Sequence, residues 1–562
     1  MGQIIECVPN FSEGRNSEVI KQITDEIEGI EGVRLLNVDP GKATNRTVVT
    51  FVGSPAAVIE AAFRAIRKAG EVIDMSRHKG EHPRMGATDV CPLIPVAGIS
   101  MEETAEWARK LAERVGKELQ LPVYLYEAAQ PHKHRSNLSV IRAGEYEGFF
   151  KKIKLPEWAP DYGPAEFDAQ RGATVIGARD FLVAYNVNLN TTSTRRANSI
   201  AFDVREAGRV KREGDPITGK IVTDAQGKPV HIPGSLKAVK AIGWYIEEYG
   251  VAQISINLTN LAITPVHIAF DEVCRKAAER GIRVTGSELV GLIPLKAMLD
   301  AGKYFLQRQQ RSTGVSEKEL IRIAILSMGL DELAPFKPEE RIIEYLLHDK
   351  AADKLVEMPL RDFADETASE SPAPGGGSIA AYVGALGISL GTMVANLSSH
   401  KKGWDDKWEL FSNWAEKGQA IKSGLLQLVD ADTRAFNRIM TAFALPKGSP
   451  EEKTARTLAI QEATKMAMEI PLRVMELAYA SLEVIGAMAE IGNPNSVSDA
   501  GVGALCARSA VMGAFMNVRI NAAGCDDKAF ATAIIGKGKE IEQKTIALET
   551  EILKVVNEKI GF

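Results

Sequence analysis

Cysteine is scarce in this chain, and its cysteines are widely separated. The 562 residues include five cysteines, none of which has the Cys-x-x-Cys spacing of a zinc knuckle or a redox motif. A disulfide framework is therefore excluded as the basis of the fold, and the pattern is typical of a reducing compartment. The first residues, Met-Gly-Gln-Ile-Ile-Glu, lack the basic and apolar regions of a secretory signal, so we expect a cytoplasmic protein.

The chain also lacks an excess of charge of either sign. Its 68 basic and 73 acidic residues leave a formal net charge of -5, so nucleic acid is not expected as a partner. Apolar residues make up 45% of the sequence and charged residues 25%, which is the ordinary composition of soluble globular proteins. A chain of this length is too long for one hydrophobic core, and roughly three or four domains are expected.

Long apolar runs are absent except for one. Residues 379–397 carry no charge and are nearly numerous enough to cross a bilayer. Ser389, Thr392, Asn396 and three glycines interrupt this run, and neither a basic flank nor a second apolar span accompanies it. We therefore favour a buried central helix, packed closely through its glycines, over a transmembrane helix, and expect no contact with a membrane.

The first part of the chain alternates between β and α patterns. Residues 4–8 are predicted to form a strand, and Asn16 is a candidate cap for a helix that ends at Gly29. Residues 33–38 and 46–52 are short β-rich runs, and Asp39-Pro40-Gly41 is the predicted turn between them. A second helix follows, which gives the order β-α-β-β-α.

The same order of elements returns after Gly172. Predicted strands and helices lie at residues 181–189, 193–205, 239–247, 251–258, 266–280 and 282–288. Residues 205–233, rich in glycine and alternating charge, are predicted to be a loop or a small hairpin. Two tandem split β-α-β units explain this repetition most economically.

Beyond about residue 317, β patterns nearly disappear. Amphipathic stretches typical of long helices cover residues 425–440, 451–485, 500–521 and 529–560. The predicted fold class is α/β, as two tandem ferredoxin-like split β-α-β subdomains, followed by an all-α helical bundle. The predicted limits are 1–178 and 179–330 for the two subdomains, 331–370 for a linker, and 371–562 for the helical domain.

The densest group of chemically active side chains lies at residues 77–86. This loop combines His78 and His82 with three basic side chains, a glutamate, a proline and two glycines. Since histidine can take and give a proton near neutral pH, acid/base catalysis beside an anionic substrate is the favoured interpretation. A two-histidine metal site is disfavoured because Gly80 and Pro83 oppose a regular helix and no third ligand is evident. A solvated basic loop is the other alternative.

A second group, Ser371-Pro372-Ala373-Pro374-Gly375-Gly376-Gly377-Ser378, comes directly before the uncharged helix. Glycines let the backbone approach a flat or anionic ligand, and free N–H groups at a helix N-terminus favour negative charge. The Gly-Lys-Ser/Thr ending of a phosphate-binding P-loop is missing. The segment is either part of a binding site or a hinge between domains, and by itself it favours the hinge.

The third feature is an acid within an apolar stripe. The stripe of this predicted helix consists of Leu425, Leu428, Val429, Phe436 and Met440. Asp432 falls on the stripe, whereas Asp430 points elsewhere. A core-facing acid must be paired, or must hold a raised pKa that suits it to proton transfer, and both interpretations stay open.

A polar turn, Gly492-Asn493-Pro494-Asn495-Ser496-Val497-Ser498-Asp499, lies between two predicted helices. Its Asn493, Asn495 and Asp499 are candidate ligand-binding side chains. A helix cap is the alternative, since Asn495 or Ser498 would serve as one.

With these segments in view, the chain resembles the formimidoyltransferase-cyclodeaminase family, bifunctional folate enzymes of histidine breakdown. The similarity follows the family order over nearly the whole chain. The matching segments are Cys7-Val8-Pro9-Asn10-Phe11-Ser12-Glu13-Gly14, Thr44-Asn45-Arg46-Thr47-Val48, the His82 loop through Asp89-Val90-Cys91-Pro92, Gly163-Pro164-Ala165, Gly286-Ser287-Glu288-Leu289-Val290-Gly291-Leu292-Ile293-Pro294, and Ala373-Pro374-Gly375-Gly376-Gly377-Ser378.

The resemblance implies two reactions. The α/β half would transfer the formimino group of N-formimino-L-glutamate to N5 of tetrahydrofolate. The helical half would then close the product to 5,10-methenyltetrahydrofolate and release ammonia. Tetrahydrofolate or its polyglutamates would be the co-substrate, and no metal is expected.

The resemblance also assigns residues to these reactions. It places the acid/base histidine of the transferase on His82 and the acid of the cyclodeaminase on Asp432. Asp39 is a weaker catalytic candidate, as a group that orients His82 or stabilises the amidinium. The residues expected to bind substrate or folate are Arg46, Arg84, Gly163, Pro164, Ala165, Gly172, Gly375, Gly376, Gly377, Ser378, Asn493, Asn495 and Asp499.

The family assembles into rings of subunits, so the resemblance implies a homo-oligomer, as a ring of dimers. Two alternatives to the leading function stay open. One is an N-formylglutamate-using transferase fused to a methenyltetrahydrofolate cyclohydrolase, and the other is an inactive folate-binding scaffold.

Overall fold

The computed structural model describes residues 3–80, 82–215, 218–347 and 355–561. The chain separates into two compact units. The first comprises Met1–Ala301 and Ala324–Leu347, and the second comprises Gly302–Ile323 and His348–Phe562. The first unit mixes helices with strands, whereas the described part of the second is helical.

The strands are β1 (Ile4–Cys7), β2 (Asn10–Phe11), β3 (Val33–Gly41), β4 (Arg46–Gly53), β5 (Thr88–Ala97), β6 (Val123–Glu127), β7 (Thr174–Ala178), β8 (Val183–Leu189), β9 (Arg209–Val210), β10 (His231–Ile232), β11 (Val239–Ile246), β12 (Val251–Leu258) and β13 (Val284–Val290). The helices up to the end of the first unit are α1 (Ser17–Glu28), α2 (Pro55–Val72), α3 (Met101–Glu118), α4 (Leu138–Ile141), α5 (Glu145–Lys152), α6 (Thr194–Val204), α7 (Val266–Ala278), α8 (Leu295–Arg308), α9 (Glu317–Met328), α10 (Pro338–Arg341) and α11 (Ile343–Leu347). Those that follow are α12 (Leu360–Thr367), α13 (Gly376–Ser399), α14 (Trp408–Ala444), α15 (Pro450–Ile491), α16 (Val497–Ala522) and α17 (Lys528–Ile560).

The larger sheet of the first unit is built from β1 to β7. Its strand order is β1-β4-β2-β5-β7-β6, and β3 pairs with β4. Both β1 and β2 pair antiparallel with β4 and with β5, whereas β5, β7 and β6 run parallel. The side chains of β2, β4 and β5 are therefore neighbours at one end of the sheet.

The predicted turn at Asp39-Pro40-Gly41 is wrong. β3 continues through these residues, and they pair with Val48, Thr47 and Arg46 of β4. Proline is tolerated there because β3 pairs on one side with β4, and an outer strand does not need every N–H for the ladder. The chain reverses after Gly41, where Asn45 has a left-handed backbone with φ of 47°.

The smaller sheet has the order β11-β12-β8-β13, and its neighbouring strands are antiparallel. The chain order β8-α6-β11-β12-α7-β13 matches the strand and helix order predicted for residues 181–288. The predicted loop or hairpin at 205–233 contains the short β9–β10 pair. Pro216 and Ile217 of that segment lie outside the described residues.

Local sequence signals define the ends of α1. The Asn16 side chain accepts hydrogen bonds from the N–H groups of Glu18 and Val19, as its predicted role as a cap requires. The helix ends at Gly29, and Ile23 and Ile27 are buried on its inner face. Apolar spacing and a cap together sufficed to predict this element.

Helix α13 is the uncharged helix of the sequence, and its glycines permit close packing. Gly384 lies against Ala510, Gly387 against Gly503 and Cys506, and Gly391 against Ile485. A methyl group at Gly387 would stand 2.8 Å from the carbonyl oxygen of Gly503. These contacts agree with the predicted buried helix.

By length and composition, two helices of the described residues are apolar enough to cross a membrane. They are Gly376–Ser399 and Pro494–Ala522, with 61% and 50% of their most apolar windows buried inside the protein. The expectation that the first run has no second apolar span beside it is therefore wrong. Packing against neighbouring helices accounts for the apolar faces that are buried.

The apolar stripe of α14 leaves the core halfway along the helix. Leu425 and Val429 are buried, but Phe436 is 37% and Met440 53% exposed. The fully buried acid is Asp430, only 3% exposed, whose carboxylate accepts hydrogen bonds from the N–H groups of Leu355 and Val356 at 2.9 and 3.3 Å. The helical wheel thus placed Asp430 wrongly, because it assumed that the whole stripe faces the core, whereas Asp432 is half-buried on that stripe.

Residues 302–323 belong to the helical unit, although the predicted domain limits place them in the second subdomain. The N–H of Thr313 donates to Ser412 Oγ at 2.9 Å, and Lys303 pairs with Glu416 at 2.7 Å. A methyl group at Gly314 would stand 2.5 Å from the backbone carbon of Ala415. The other predicted limits stay predictions, and residues 348–354 of the predicted linker lie outside the described residues.

We expect Asp430→Ala to lower the free energy of unfolding by about 2 kcal/mol, since two backbone N–H groups lose a charged acceptor. Urea denaturation followed by circular dichroism measures this change. Glu551→Ala, at an exposed position of α17, is the matched control. Equal stability of the two variants would contradict the structural role of Asp430.

Candidate active sites

His82 lies in the loop between α2 and β5, at the end of the larger sheet where three strands converge. Asn10 of β2, Arg46 of β4 and Asp89 of β5 all point to this end. Gly80 fits the loop against the β3–β4 turn, where a methyl group would stand 2.9 Å from the carbonyl carbon of Thr44. Glu81, predicted as part of the same group, lies outside the described residues.

Arg46 connects the groups around His82. Its guanidinium donates to Asn10 Oδ1 at 2.6 and 2.9 Å and to Asp89 Oδ2 at 2.9 Å. Asp89 is fully buried and also pairs with Arg142. Burial lowers the pKa of Arg46 to about 10, so it stays charged at neutral pH. One buried carboxylate thus holds two arginines beside the histidine.

His82 is held as a neutral imidazole. Its Nδ1 lies 2.6 Å from Arg46 Nη1 and 2.7 Å from the carbonyl oxygen of Pro83. An unprotonated Nδ1 accepts from Arg46, whereas a protonated Nδ1 donates to Pro83, so the two contacts select opposite tautomers. Burial, and then the charges of Arg46 and Arg142, hold the pKa of His82 well below its ordinary value. A neutral imidazole can accept a proton at neutral pH.

His78 has a different environment. Its Nε2 lies 2.8 Å from the carbonyl oxygen of Asn45, and Arg84 Nε donates to its Nδ1 at 3.1 Å. Both ring nitrogens are therefore engaged within the protein, mainly in holding the loop to the β3–β4 turn. Among the described residues, no group of three or more His, Cys, Asp or Glu side chains could hold a metal ion.

Two predicted site residues are committed to other contacts. Arg84, a predicted partner for substrate carboxylates, is buried and forms paired hydrogen bonds with Glu147 at 2.6 and 3.0 Å. Asp39 accepts from the N–H of Gly291 at 2.7 Å and from Arg341 at 3.2 Å. Since β3 continues past Asp39, its carboxylate reaches the β13–α8 connection, and no hydrogen bond joins it to His82 among the described residues.

The predicted folate-binding stretch is divided between two places. Gly172 forms an isolated β-bridge with Gly86 at the end of the His82 loop. Next to it, the N–H of Ala87 donates to the carbonyl oxygen of Arg171 at 2.9 Å. Gly163, with φ of 82°, packs instead against Leu121 and Gly116. The segment Gly163-Pro164-Ala165 is therefore anchored at its start to α3 and not to the His82 loop. Gly172, in contrast, borders that loop directly.

In the helical unit, the glycine turn and Asp432 come together. A methyl group at Gly377 would stand 2.5 Å from Cγ of Asp432, so only glycine fits there. Ser378 Oγ donates to the carbonyl oxygen of Val429 at 2.7 Å and lies 3.3 Å from Asp432 Oδ2. Burial raises the pKa of Asp432, and hydrogen bonds from Ser378 partly oppose this shift. Two separately predicted features thus form one cluster.

The polar turn lies at the other end of α13. The N–H of Asn493 donates to Ser398 Oγ at 2.8 Å, and its side chain accepts from the N–H of Asn495. Gly377 is 21 residues before Ser398, which is about 30 Å along the helix. Asn493, Asn495 and Asp499 therefore do not join the Asp432 cluster. The capping side chain is that of Asn493, and not Asn495 or Ser498 as predicted.

Sequence reasoning missed three polar residues at these clusters. Asp89 is an acid in the apolar run of β5, which was a usable signal, whereas nothing in the sequence connects Arg142 with it. Asn517 of α16 approaches the glycine turn, with its Nδ2 3.3 Å from the position of a methyl group at Gly376. Its signal was an amide within a largely apolar helix.

Three family models match the chain in succession. The model described as "Formiminotransferase domain, N-terminal subdomain" matches residues 4–179, and "Formiminotransferase domain" matches residues 184–348. The model described as "Formiminotransferase-cyclodeaminase" matches residues 359–540.

Named relatives show similarity over the whole chain or over part of it. A formimidoyltransferase-cyclodeaminase from Gallus gallus is 45% identical over 95% of this chain and 95% of its own. A glutamate formimidoyltransferase from Streptococcus pyogenes is 39% identical over 55% of this chain and 94% of its own. A methenyltetrahydrofolate cyclohydrolase from Methylorubrum extorquens is 36% identical over 36% of this chain and 97% of its own.

The surroundings of His82 predict its titration. We expect a midpoint well below 6.5, and Arg142→Gln should raise it because a nearby positive charge is removed. Proton NMR of the imidazole measures this shift. Arg64→Gln, which removes a charge from α2, should leave the midpoint unchanged. A wild-type midpoint at or above 6.5 would contradict the inferred environment.

Proposed function

The chain belongs to the formiminotransferase-cyclodeaminase family, and on that basis we propose that it catalyses two consecutive folate reactions. The first transfers the formimino group of N-formimino-L-glutamate to N5 of tetrahydrofolate. The second closes 5-formiminotetrahydrofolate to 5,10-methenyltetrahydrofolate and releases ammonia. Two shorter relatives, a glutamate formimidoyltransferase and a methenyltetrahydrofolate cyclohydrolase, are separate proteins that each match one part of this chain. This supports the assignment of one reaction to each part.

The observation that carries the proposal is one acid/base group in each unit. The lowered pKa of His82 leaves its imidazole unprotonated and able to accept a proton, and the raised pKa of Asp432 lets its carboxyl group hold a proton more readily than a solvated one. They lie in different units, so each can act on a separate reaction. Folate itself is the co-substrate, and neither reaction requires a metal.

In the first reaction, N5 of tetrahydrofolate attacks the formimino carbon and must lose a proton. The neutral imidazole of His82 accepts this proton and returns it to the departing glutamate nitrogen. Arg46, 2.6 Å from the imidazole, supplies a positive charge for a substrate carboxylate. Arg84 and Asp39, because of their contacts, hold the surrounding loop and strand.

In the second reaction, N10 attacks the same carbon and the formimino nitrogen leaves as ammonia. Asp432 takes the proton from N10 and transfers it to the leaving nitrogen. The absence of a side chain at Gly377 makes room for this carboxylate, and the exposed Gly376 beside it gives a flat folate ring a face to approach. The backbone N–H of Ser378 donates to the carboxylate and helps to fix its position.

The α/β unit is proposed to contain two ferredoxin-like subdomains in tandem. The order β11-β12-β8-β13, with α6 and α7 as connections, supports a ferredoxin-like subdomain, and β3-β4-β1-β5 repeats that order. We also propose a cytoplasmic homo-oligomer without membrane contact. Exposed apolar side chains on α13 and α16, among them Leu397 and Met516, are suited to contacts between subunits.

Single substitutions should separate the two activities. His82→Ala should lower formimino transfer at least 100-fold and leave ammonia release from supplied 5-formiminotetrahydrofolate intact, while Asp432→Asn should do the reverse. Methenyl absorbance and released ammonia measure the second reaction, and glutamate release measures the first.

His134→Ala, at an exposed position of the first unit, is the matched control and should affect neither activity. Equal loss of both activities in each folded variant would refute the assignment of separate sites.

A further inference from the structure

Asn517 presents one free oxygen at the glycine turn. Its Nδ2 donates to the carbonyl oxygen of Gly513 at 2.9 Å, one turn earlier in α16. This bond fixes the amide plane, and Oδ1 has no hydrogen-bond partner among the described residues. The oxygen is therefore an oriented, half-buried acceptor that is available to a bound ligand.

Asn517 and Asp432 lie against adjacent glycines. A methyl group at Gly376 would stand 3.3 Å from Nδ2 and 3.8 Å from Oδ1 of Asn517, and one at Gly377 would meet the Asp432 carboxylate. Gly376 is exposed whereas Gly377 is buried, so the Asn517 side of the turn is open to a ligand. Two oxygen acceptors, one charged and one neutral, thus flank one glycine pair.

The chemistry of the substrate matches these acceptors. A formimino group on N5 is an amidine, which is protonated at neutral pH and carries N–H donors. A formyl group at the same position carries a carbonyl oxygen instead, which donates nothing and would face another oxygen. A site that hydrogen-bonds an N–H discriminates strongly against an analogue that lacks it.

We propose that Asn517 is a specificity-determining residue of the helical unit, whose Oδ1 accepts a hydrogen bond from the formimino nitrogen and thereby selects 5-formimino- over 5-formyltetrahydrofolate. This inference rests on the proposed function of the Asp432 cluster. It concerns which one-carbon group the helical unit processes. The names of the relatives do not decide this, because one is a cyclodeaminase and another a cyclohydrolase. It adds no proton-transfer step, since Asp432 performs that role.

The test is Asn517→Leu, which removes the acceptor at similar volume. We expect kcat/KM for ammonia release from 5-formiminotetrahydrofolate to fall roughly 10- to 100-fold, the cost of a hydrogen bond to a charged group. The inhibition constant of 5-formyltetrahydrofolate should stay the same or become tighter. Formimino transfer, measured on the same preparation, should be unchanged, and retained inhibition of ammonia release by 5-formyltetrahydrofolate reports that the helical unit is folded.

Two further variants separate recognition from structural support. Asn517→Asp keeps an acceptor oxygen and should restore most of the lost selectivity. Asn521→Leu removes another amide of α16, one that donates to the carbonyl oxygen of Ala467. This variant should leave the selectivity for 5-formimino- over 5-formyltetrahydrofolate unchanged.

The proposal would be overturned if Asn517→Leu weakened the use of 5-formiminotetrahydrofolate and the binding of 5-formyltetrahydrofolate to the same extent, or changed neither. A wild-type protein that releases no ammonia would instead refute the proposed function, so the two failures are distinguishable.

Discussion

The burial of the Asp89 carboxylate is the constraint on which the first site depends. An ionised group without solvent must be paired, and Asp89 is paired with Arg46 from β4 and Arg142 from the end of α4. These pairs join the sheet to the segment that covers it. They also bring two positive charges close to His82, and together with burial these charges hold its imidazole neutral. The same interaction therefore fixes the loop and sets the proton affinity of the histidine.

A comparable constraint acts in the helical unit, but there it arises from the lack of side chains. Gly377 leaves room for the Asp432 carboxylate, which a methyl group there would displace, and the glycines along α13 let α16 and α15 approach that helix. Asp432 stands where the apolar stripe of α14 emerges from the core, so its carboxyl group is partly desolvated and still reachable. A fully buried acid such as Asp430 is out of reach of a substrate, and its carboxylate only holds neighbouring backbone in place. This intermediate position makes Asp432 suitable for chemistry.

Local elements were predictable where one strong pattern decided them. The Asn16 cap, the antiparallel pair at residues 239–258 and the buried glycine-rich helix all follow from spacing, turn residues or composition. The failures have a common cause. Asp39-Pro40-Gly41 has the composition of a turn, but pairing with β4 outweighs that preference, and the stripe of α14 is continuous in sequence although its packing partner ends. In both cases tertiary contacts overrode a local signal.

The sequence by itself determined the two-part architecture, the loop of His82, the glycine turn and the presence of Asp432, because these are properties of order and composition. Tertiary structure alone decided which charges surround the histidine, that His78 and Arg84 are engaged elsewhere, and that Asn493 lies far from the acid. It also placed Asn517 beside the glycine turn, 141 residues later in the chain than Gly376. Contacts between residues so distant in sequence arise from the packing of whole elements, and no local spacing encodes them.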